Sequence, residues 1–290
     1  MKSNAVAWMF VAPALSVLGV FFMLPVAAAF LLSATDFDVY ALADFGNLRF
    51  VGLENYARML GAPLFWRALG NTLYFVLVGV PLSIGISLGC ALLLNSRLAR
   101  CKSLFRTALF APVVTTLVAV AVVWRYLFHS RYGIVNYALG HIGIAPIDWL
   151  GDPHWAMPAI MLLAIWKNFG YNMIIFVAAL QGVPEELYEA ARIDGASGVQ
   201  QFRHVTLPML GPTFVFVGII TAIGYLQLFP EPYVMTRGGP VNSTLSVVML
   251  MYEQGFKWWN MGFAAAVAFI LFLFIAAATV LQLWAQRSRT

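Results

Sequence analysis

Residues 3–35 read SNAVAWMFVAPALSVLGVFFMLPVAAAFLLSAT, without one Asp, Glu, Lys or Arg. A hydrocarbon core about 30 Å thick needs about 20 mostly apolar helical residues to cross it, and this run supplies more. A helix that is apolar all round is buried in a core or in lipid. Ala27, Ala28 and Ala29 resemble the small-residue cleavage site of a signal peptide. The apolar run, however, far exceeds the about 7–15 residues of a signal core. The stretch therefore reads as a membrane span over residues 7–32.

Five further segments read the same way: residues 70–95, 108–128, 155–180, 207–229 and 262–284. Composition agrees. Of the 290 residues, 62% are hydrophobic and 10% charged, against about 25% charged in a soluble domain. A soluble chain with so few charges could not cover its own core. The expected fold class is all-α, a polytopic membrane protein with six transmembrane helices. Pro13, Pro25, Pro81, Pro112 and Pro158 fall in or beside spans, where neighbouring groups can satisfy the freed carbonyls. Gly79, Ser83 and Ser87 recur every four residues, as do Gly85 and Gly89. Small residues at that spacing let helix backbones approach closely, here within one subunit rather than at a dimer seam.

Loop charges orient the spans. With the N-terminus in the cytoplasm, the inside holds Lys2, Arg97, Arg100, Lys102, Arg106, Arg192, Arg203, Arg287 and Arg289. The outside holds Arg49, Arg58, Arg67, Arg131, Arg237 and Lys257, and Arg125 and Lys167 fall within spans. The short loop between spans two and three carries four of the inside set, and short loops are where basic residues report orientation. Both termini are therefore expected in the cytoplasm. Most acidic residues fall outside, Glu231 among them. The net charge of +5 reads as orientation in a membrane, with no nucleic-acid partner. Cys90 and Cys101 offer no disulfide framework. His129, His141, His154 and His204 sit in loops or at span ends without metal-ligand spacing. No metal site and no catalytic residue is expected.

The segment between spans four and five, PEELYEAARIDGAS over residues 184–197, carries the densest local signal. Pro184 suits the first helical position, and Glu185 and Glu186 suit the positive helix end. Leu187, Ala190, Ala191 and Asp194 share one face. Gly195 is a natural stop, and Ser197 with Gln200 matches a capping box that opens a second helix. Two short helices joined at a glycine are expected, resting on lipid or seated in a groove of another protein.

This loop closely resembles the signature of ABC importer permeases, the inner-membrane components of binding-protein-dependent transport systems. Glu189-Ala190-Ala191, Asp194-Gly195-Ala196, Phe202, Leu207-Pro208 and Pro212 match in register. So do the preceding Ala178-Ala179-Leu180-Gln181-Gly182-Val183-Pro184 and the later Gly238-Gly239-Pro240, Thr244, Tyr252 and Phe256. The similarity is to the branch that carries sugars and related solutes. The segment Leu228-Phe229-Pro230-Glu231-Pro232 departs from that branch's usual Phe-Asp pattern.

The resemblance implies a type I importer permease fold in a bacterial inner membrane. Residues 1–66 would form an N-terminal helix and periplasmic loop. Residues 67–286 would form a five-helix core with a cytoplasmic coupling loop at 184–206, and residues 287–290 a tail. It also implies partners besides the lipid bilayer: a cytoplasmic ATPase dimer, a second homologous permease, and a periplasmic or tethered solute-binding protein. Glu189 would make a charged contact with the ATPase, Ala190 and Ala191 would permit close approach, and Gly195 would supply the tight turn. Asp194, Ala196 and Pro208 belong to the same coupling set. The chain has no GxxxxGK[ST] loop, so ATP and Mg are expected on the partner and no cofactor on this chain.

Polar residues inside spans usually face a bundle interior. Asn168, Tyr171 and Asn172 share a face of the fourth span, and Thr221, Gly224 and Tyr225 share one of the fifth, with Gln227 close behind. Amides, hydroxyls and aromatic faces suit neutral polyols. The same groups also suit plain interhelical hydrogen bonds. Lys167 reads as a paired or snorkelling charge, since resembling sugar permeases often carry a basic residue after this tryptophan. Glycerol phosphate is the alternative solute within the class, but the spans offer only Lys167 and Arg125 for a phosphate. An integral-membrane enzyme lacks any catalytic spacing of His, Asp or Glu. A secondary transporter lacks its inverted repeats and buried ionisable relays.

Overall fold

The computed structural model describes residues 2–43, 46, 48–96 and 101–287. Arg97, Arg100 and Arg289, three of the charges that orient the chain, lie outside the described residues, as does the tail from 288. In chain order the helices are α1 (Lys2–Leu18), α2 (Leu24–Ser33), α3 (Val39–Ala43), α4 (Glu54–Gly61), α5 (Pro63–Asn95), α6 (Lys102–Val114), α7 (Leu117–Leu127), α8 (Ile134–His141), α9 (Pro153–Gln181), α10 (Glu185–Ile193), α11 (Gly198–Gln201), α12 (Leu207–Met209), α13 (Gly211–Leu226), α14 (Pro230–Met235), α15 (Val247–Tyr252) and α16 (Met261–Arg287). Among the described residues, extended pairing is limited to one antiparallel bridge, Thr35 to Phe50. Five stretches are long and apolar enough to cross a membrane: Trp8–Ser33, Pro63–Asn95, Pro153–Gln181, Gly211–Met235 and Met261–Trp284. The pair α6 and α7, bent by 98°, makes a sixth when counted as one broken span.

The chain divides into two compact units. The first comprises Met1–Trp66 and Leu250–Phe274. In it, α1 and α2 are joined without a gap by one π turn, Gly19–Met23, next to Pro25, whose missing N–H breaks the regular ladder. Large apolar side chains from Trp8 to Leu31 are exposed, as lipid-facing residues must be. Below them the buried Asn55 donates to the carbonyls of Ser33 and Thr35, at 2.9 and 2.7 Å. Gly262 at the start of α16 has no room for a side chain against the Thr35 carbonyl, and its N–H donates to Phe37 at 3.0 Å.

The second unit, Arg67–Met249 with Ile275–Thr290, is organised around α9. In α9, 61% of the apolar window is buried. Asp152 caps its N-terminus by accepting from the His154 backbone N–H at 2.8 Å, and that bond, with a side-chain bond from His154, holds the Asp152 carboxyl below its ordinary pKa. One apolar cluster surrounds the first half of α9 with Phe75, Phe128, Trp149 and Tyr225. A second surrounds its last turns with Ala91, Phe176, Leu210 and Val217. The small-residue ladder of α5 packs within this unit. A Cβ on Gly79 would come within 3.0 Å of the Tyr225 ring. Ser83 is buried, and Ser87 Oγ donates to the Phe169 carbonyl of α9 at 3.0 Å. Gly85 and Gly89 meet nothing.

Two spans depart from the expected single helices. The third breaks at Thr115 and Thr116, both extended, after a β-branched run that follows Pro112. A break inside a membrane frees carbonyls that must find donors. Thr115 Oγ1 donates to the Pro112 carbonyl at 2.6 Å, and Lys167 Nζ of α9 donates to the Val113 carbonyl at 2.9 Å. The cation also sits at the negative end of α6. The fifth span ends as a regular helix at Leu226 and resumes as α14 after Phe229. Glu231 lies on α14, 7% exposed. It is therefore not the solvated outer-loop acid the charge count assumed, because α14 packs onto α7 and α9.

Candidate functional site

Two groups of candidate residues lie on the second unit. The first is the loop after α9. Helix α10 starts at Glu185 with Pro184 as its N-cap, one position later than the sequence suggests. It ends in a Schellman motif. Gly195 has φ +76°, its N–H donates to Arg192 at 3.1 Å, and the Ala196 N–H donates to Ala191 at 2.8 Å. Ser197 then opens α11 with a complete capping box: its N–H donates to Gln200 Oε1 at 2.7 Å, and its Oγ accepts from the Gln200 N–H at 3.4 Å. Gln201 Nε2 donates back to the Ala196 carbonyl at 2.9 Å, so two adjacent turns lock one another.

A side-chain bond ties the hairpin to the start of the fifth span. Tyr188 and the buried Thr206 share a hydroxyl–hydroxyl hydrogen bond of 2.9 Å. Across the outer surface of α10, Arg192 pairs with Glu185 at 2.8 Å, an exposed contact worth at most about 1 kcal/mol. No residue of α10 is buried. Glu189, Ala190, Asp194 and Pro208 are exposed, and Ala191 and Ala196 half-buried. Ile193 is 87% exposed and Val199 77%. A rigid helical hairpin that shows apolar side chains and small residues together is built to be covered.

The second group is the set of polar residues in the spans, and the structure divides it. Asn172 of α9 is buried and donates to Thr221 Oγ1 of α13 at 3.0 Å. Tyr225 is buried against Phe75, ring centroids 4.9 Å apart. Its hydroxyl lies near that of Ser83, and among the described residues neither completes a hydrogen bond of good geometry. These residues knit α5, α9 and α13 together. Asn168, Tyr171 and Gln227 are exposed on the surface of this chain, and Asn168 donates to the Ala164 carbonyl of its own helix at 3.0 Å. Sequence reasoning missed the pairing of Lys167 with the Val113 carbonyl, and it missed the burial of Glu231. The signal for Glu231 was slight: an acid between two prolines at the end of an apolar run.

The Gly-Gly-Pro turn after α14 is likewise pinned. The buried Thr244 shares a 2.7 Å hydrogen bond with Thr236 Oγ1 and donates to the Gly239 carbonyl at 2.8 Å. Asn71 of α5 donates to the carbonyls of Asn242 and Leu245 at 2.8 and 2.9 Å.

This geometry has close relatives. The family described as binding-protein-dependent transport system inner membrane component matches residues 84–290. The lactose transport system permease protein LacF of Rhizobium radiobacter is 40% identical over 287 residues, covering 97% of this chain and 94% of that one. The arabinooligosaccharides transport system permease protein AraP of Bacillus subtilis is 35% identical over 284 residues, covering 97% and 88%. The fold matches a chain of a bacterial ABC transporter involved in the import of the acidic polysaccharide alginate, with a TM-score of 0.81, 21% identity, and coverage of 100% and 97%. The chain belongs to the binding-protein-dependent transport system inner membrane components: it is an ABC importer permease.

Proposed function

We propose that this permease forms one side of the translocation path for a neutral sugar or oligosaccharide, and that loop 184–206 is where a cytoplasmic ATPase grips it. ATP and Mg are bound by that ATPase, and this chain performs no catalysis of its own. A second permease completes the path, and a solute-binding protein delivers solute to the outer face. Both termini lie in the cytoplasm. ATP-driven closure of the ATPase pulls on α10 and rocks the membrane helices between inward-open and outward-open states.

The observation that carries this reading is the uncovered, doubly capped hairpin of α10 and α11. Its hydroxyl link at Thr206 leads directly into the fifth span. The relatives' names, lactose and arabinooligosaccharides, support the solute class. An anionic solute finds less support, because Lys167 is already engaged by the Val113 carbonyl. Asn168, Tyr171 and Gln227, exposed on this chain, are the residues left to line a path shared with a second permease. Asn172, Thr221 and Tyr225 act behind them as the scaffold.

The test is uptake by the complete transporter reconstituted in vesicles. Glu189→Ala is expected to insert and assemble but to lose ATP-driven sugar uptake at least about tenfold, the equivalent of one charge-assisted contact. Wild-type uptake by this variant, or uptake driven by an ion gradient without ATP, contradicts the assignment.

A further inference from the structure

At the start of α9, far from the coupling hairpin, the second unit holds a cleft of about 330 Å³ with mixed polar and apolar walls. Its walls are one face of α5, where Arg67, Asn71 and Tyr74 recur at i, i+4 and i+7, the first turns of α9 with His154 and Met157, and Ser243 of the loop after the Gly-Gly-Pro turn. Small-molecule sites span about 300–1,000 Å³, so this cleft holds about one sugar ring.

Its polar groups are preset. Both amide hydrogens of Asn71 are spent on Asn242 and Leu245, which fixes the side chain and leaves Oδ1 as an acceptor. Arg67 gives one weak bond, Nη2 to the Val241 carbonyl at 3.4 Å, and keeps the rest of its donor fork. Tyr74 exposes nearly half its surface. Ser243 is buried, and its Oγ has no hydrogen-bond partner among the described residues. That oxygen is closed off, so Ser243 serves as part of the wall and not as a group a ligand would meet. A fixed acceptor, a donor fork and an aromatic face match a ring that offers adjacent hydroxyls on its edge and C–H groups on its face.

We infer that this cleft is a saccharide subsite at the outer mouth of the path, taking one ring of the solute. It rests on the sugar reading above. Adjacent hydroxyls accept from the Arg67 fork, one hydroxyl donates to Asn71 Oδ1, and the ring face lies on Tyr74. The site is distinct from the polar residues deep in α9 and α13.

The experiment uses the assembled transporter in nanodiscs without its binding protein, with lactose and L-arabinotriose as probes in saturation-transfer NMR. Uptake of both sugars is measured in parallel with the binding protein present. For an imported probe, the wild type is expected to saturate the protons of one ring. Arg67→Ala and Tyr74→Ala are expected to weaken binding about tenfold, as for one lost charged or stacking contact, whereas Tyr74→Phe retains it. If a probe is imported but gives equal saturation in all variants, or none in the wild type, the subsite is overturned while the sugar reading stands. If uptake falls in Arg67→Ala with no sugar contact in the wild type, the cleft is a docking face for the binding protein and the inference is wrong. If neither sugar is imported, the sugar reading fails and the subsite with it.

Discussion

A Cβ on Gly170 would collide with the carbonyl oxygen of Leu109 and crowd Phe110, on the backbone of α6. The absence of a side chain is what lets α6 lie against α9. Gly85 and Gly89 have nothing within 4 Å. Gly170→Ala is therefore expected to destabilise the purified permease by about 1–3 kcal/mol, the usual cost of overpacking, and Gly85→Ala and Gly89→Ala to leave it within about 0.5 kcal/mol. Thermal unfolding in detergent checks this, and equal melting of all three would contradict the packing described. Residues whose role is set by close neighbours in sequence were readable in advance. Gly195, Ser197 and Gln200 act through bonds spanning at most a few positions, so spacing alone identified them. Gly170 and Asn172 act through α6 and α13, and no local pattern points to such partners.

Among elements, the broken third span is held by a donor from α9, and the short α14 by its packing on α7 and α9. Lys167 donates to the carbonyl that the break in α6 sets free, and α14, which packs on the same α9, carries the buried Glu231. Lys167→Met removes the donor and is expected to cost about 1–3 kcal/mol, the range for leaving a buried polar group unsatisfied. Adding Glu231→Gln is expected to restore part of that loss, with a coupling energy of about 0.5–3 kcal/mol, measured by a thermal double-mutant cycle in detergent. Strict additivity of the two changes would show that the charges do not act together. Hydrophobic length located five spans and the bent pair that makes a sixth when counted as one, because crossing a bilayer is a demand on composition. It did not locate the bend at Thr115 and Thr116. There the helix is traded for an extended pair, and a donor 54 positions further along supplies what the backbone loses. Glu231 was misplaced for the same reason: its burial depends on α7 and α9, not on the prolines beside it.

For the whole molecule, the family and the class of fold follow from the loop signature and the relatives, and the direction of coupling follows from which side of the bilayer α10 occupies. Exposed Ile193 and Val199 on the hairpin that carries Ala190 leave apolar surface that a partner groove can cover, each fully buried branched side chain contributing about 1.5–3 kcal/mol. The most direct measurement places a single cysteine at Ala190 in a background carrying Cys90→Ala and Cys101→Ser, which removes both native thiols. Treated with a short bifunctional thiol crosslinker, the assembled transporter is expected to give a product between this cysteine and a cysteine in the groove of the ATPase, with the yield changing when ATP is added. Labelling of the same cysteine in intact cells by a membrane-impermeant maleimide, with no crosslink to the ATPase, would contradict the account.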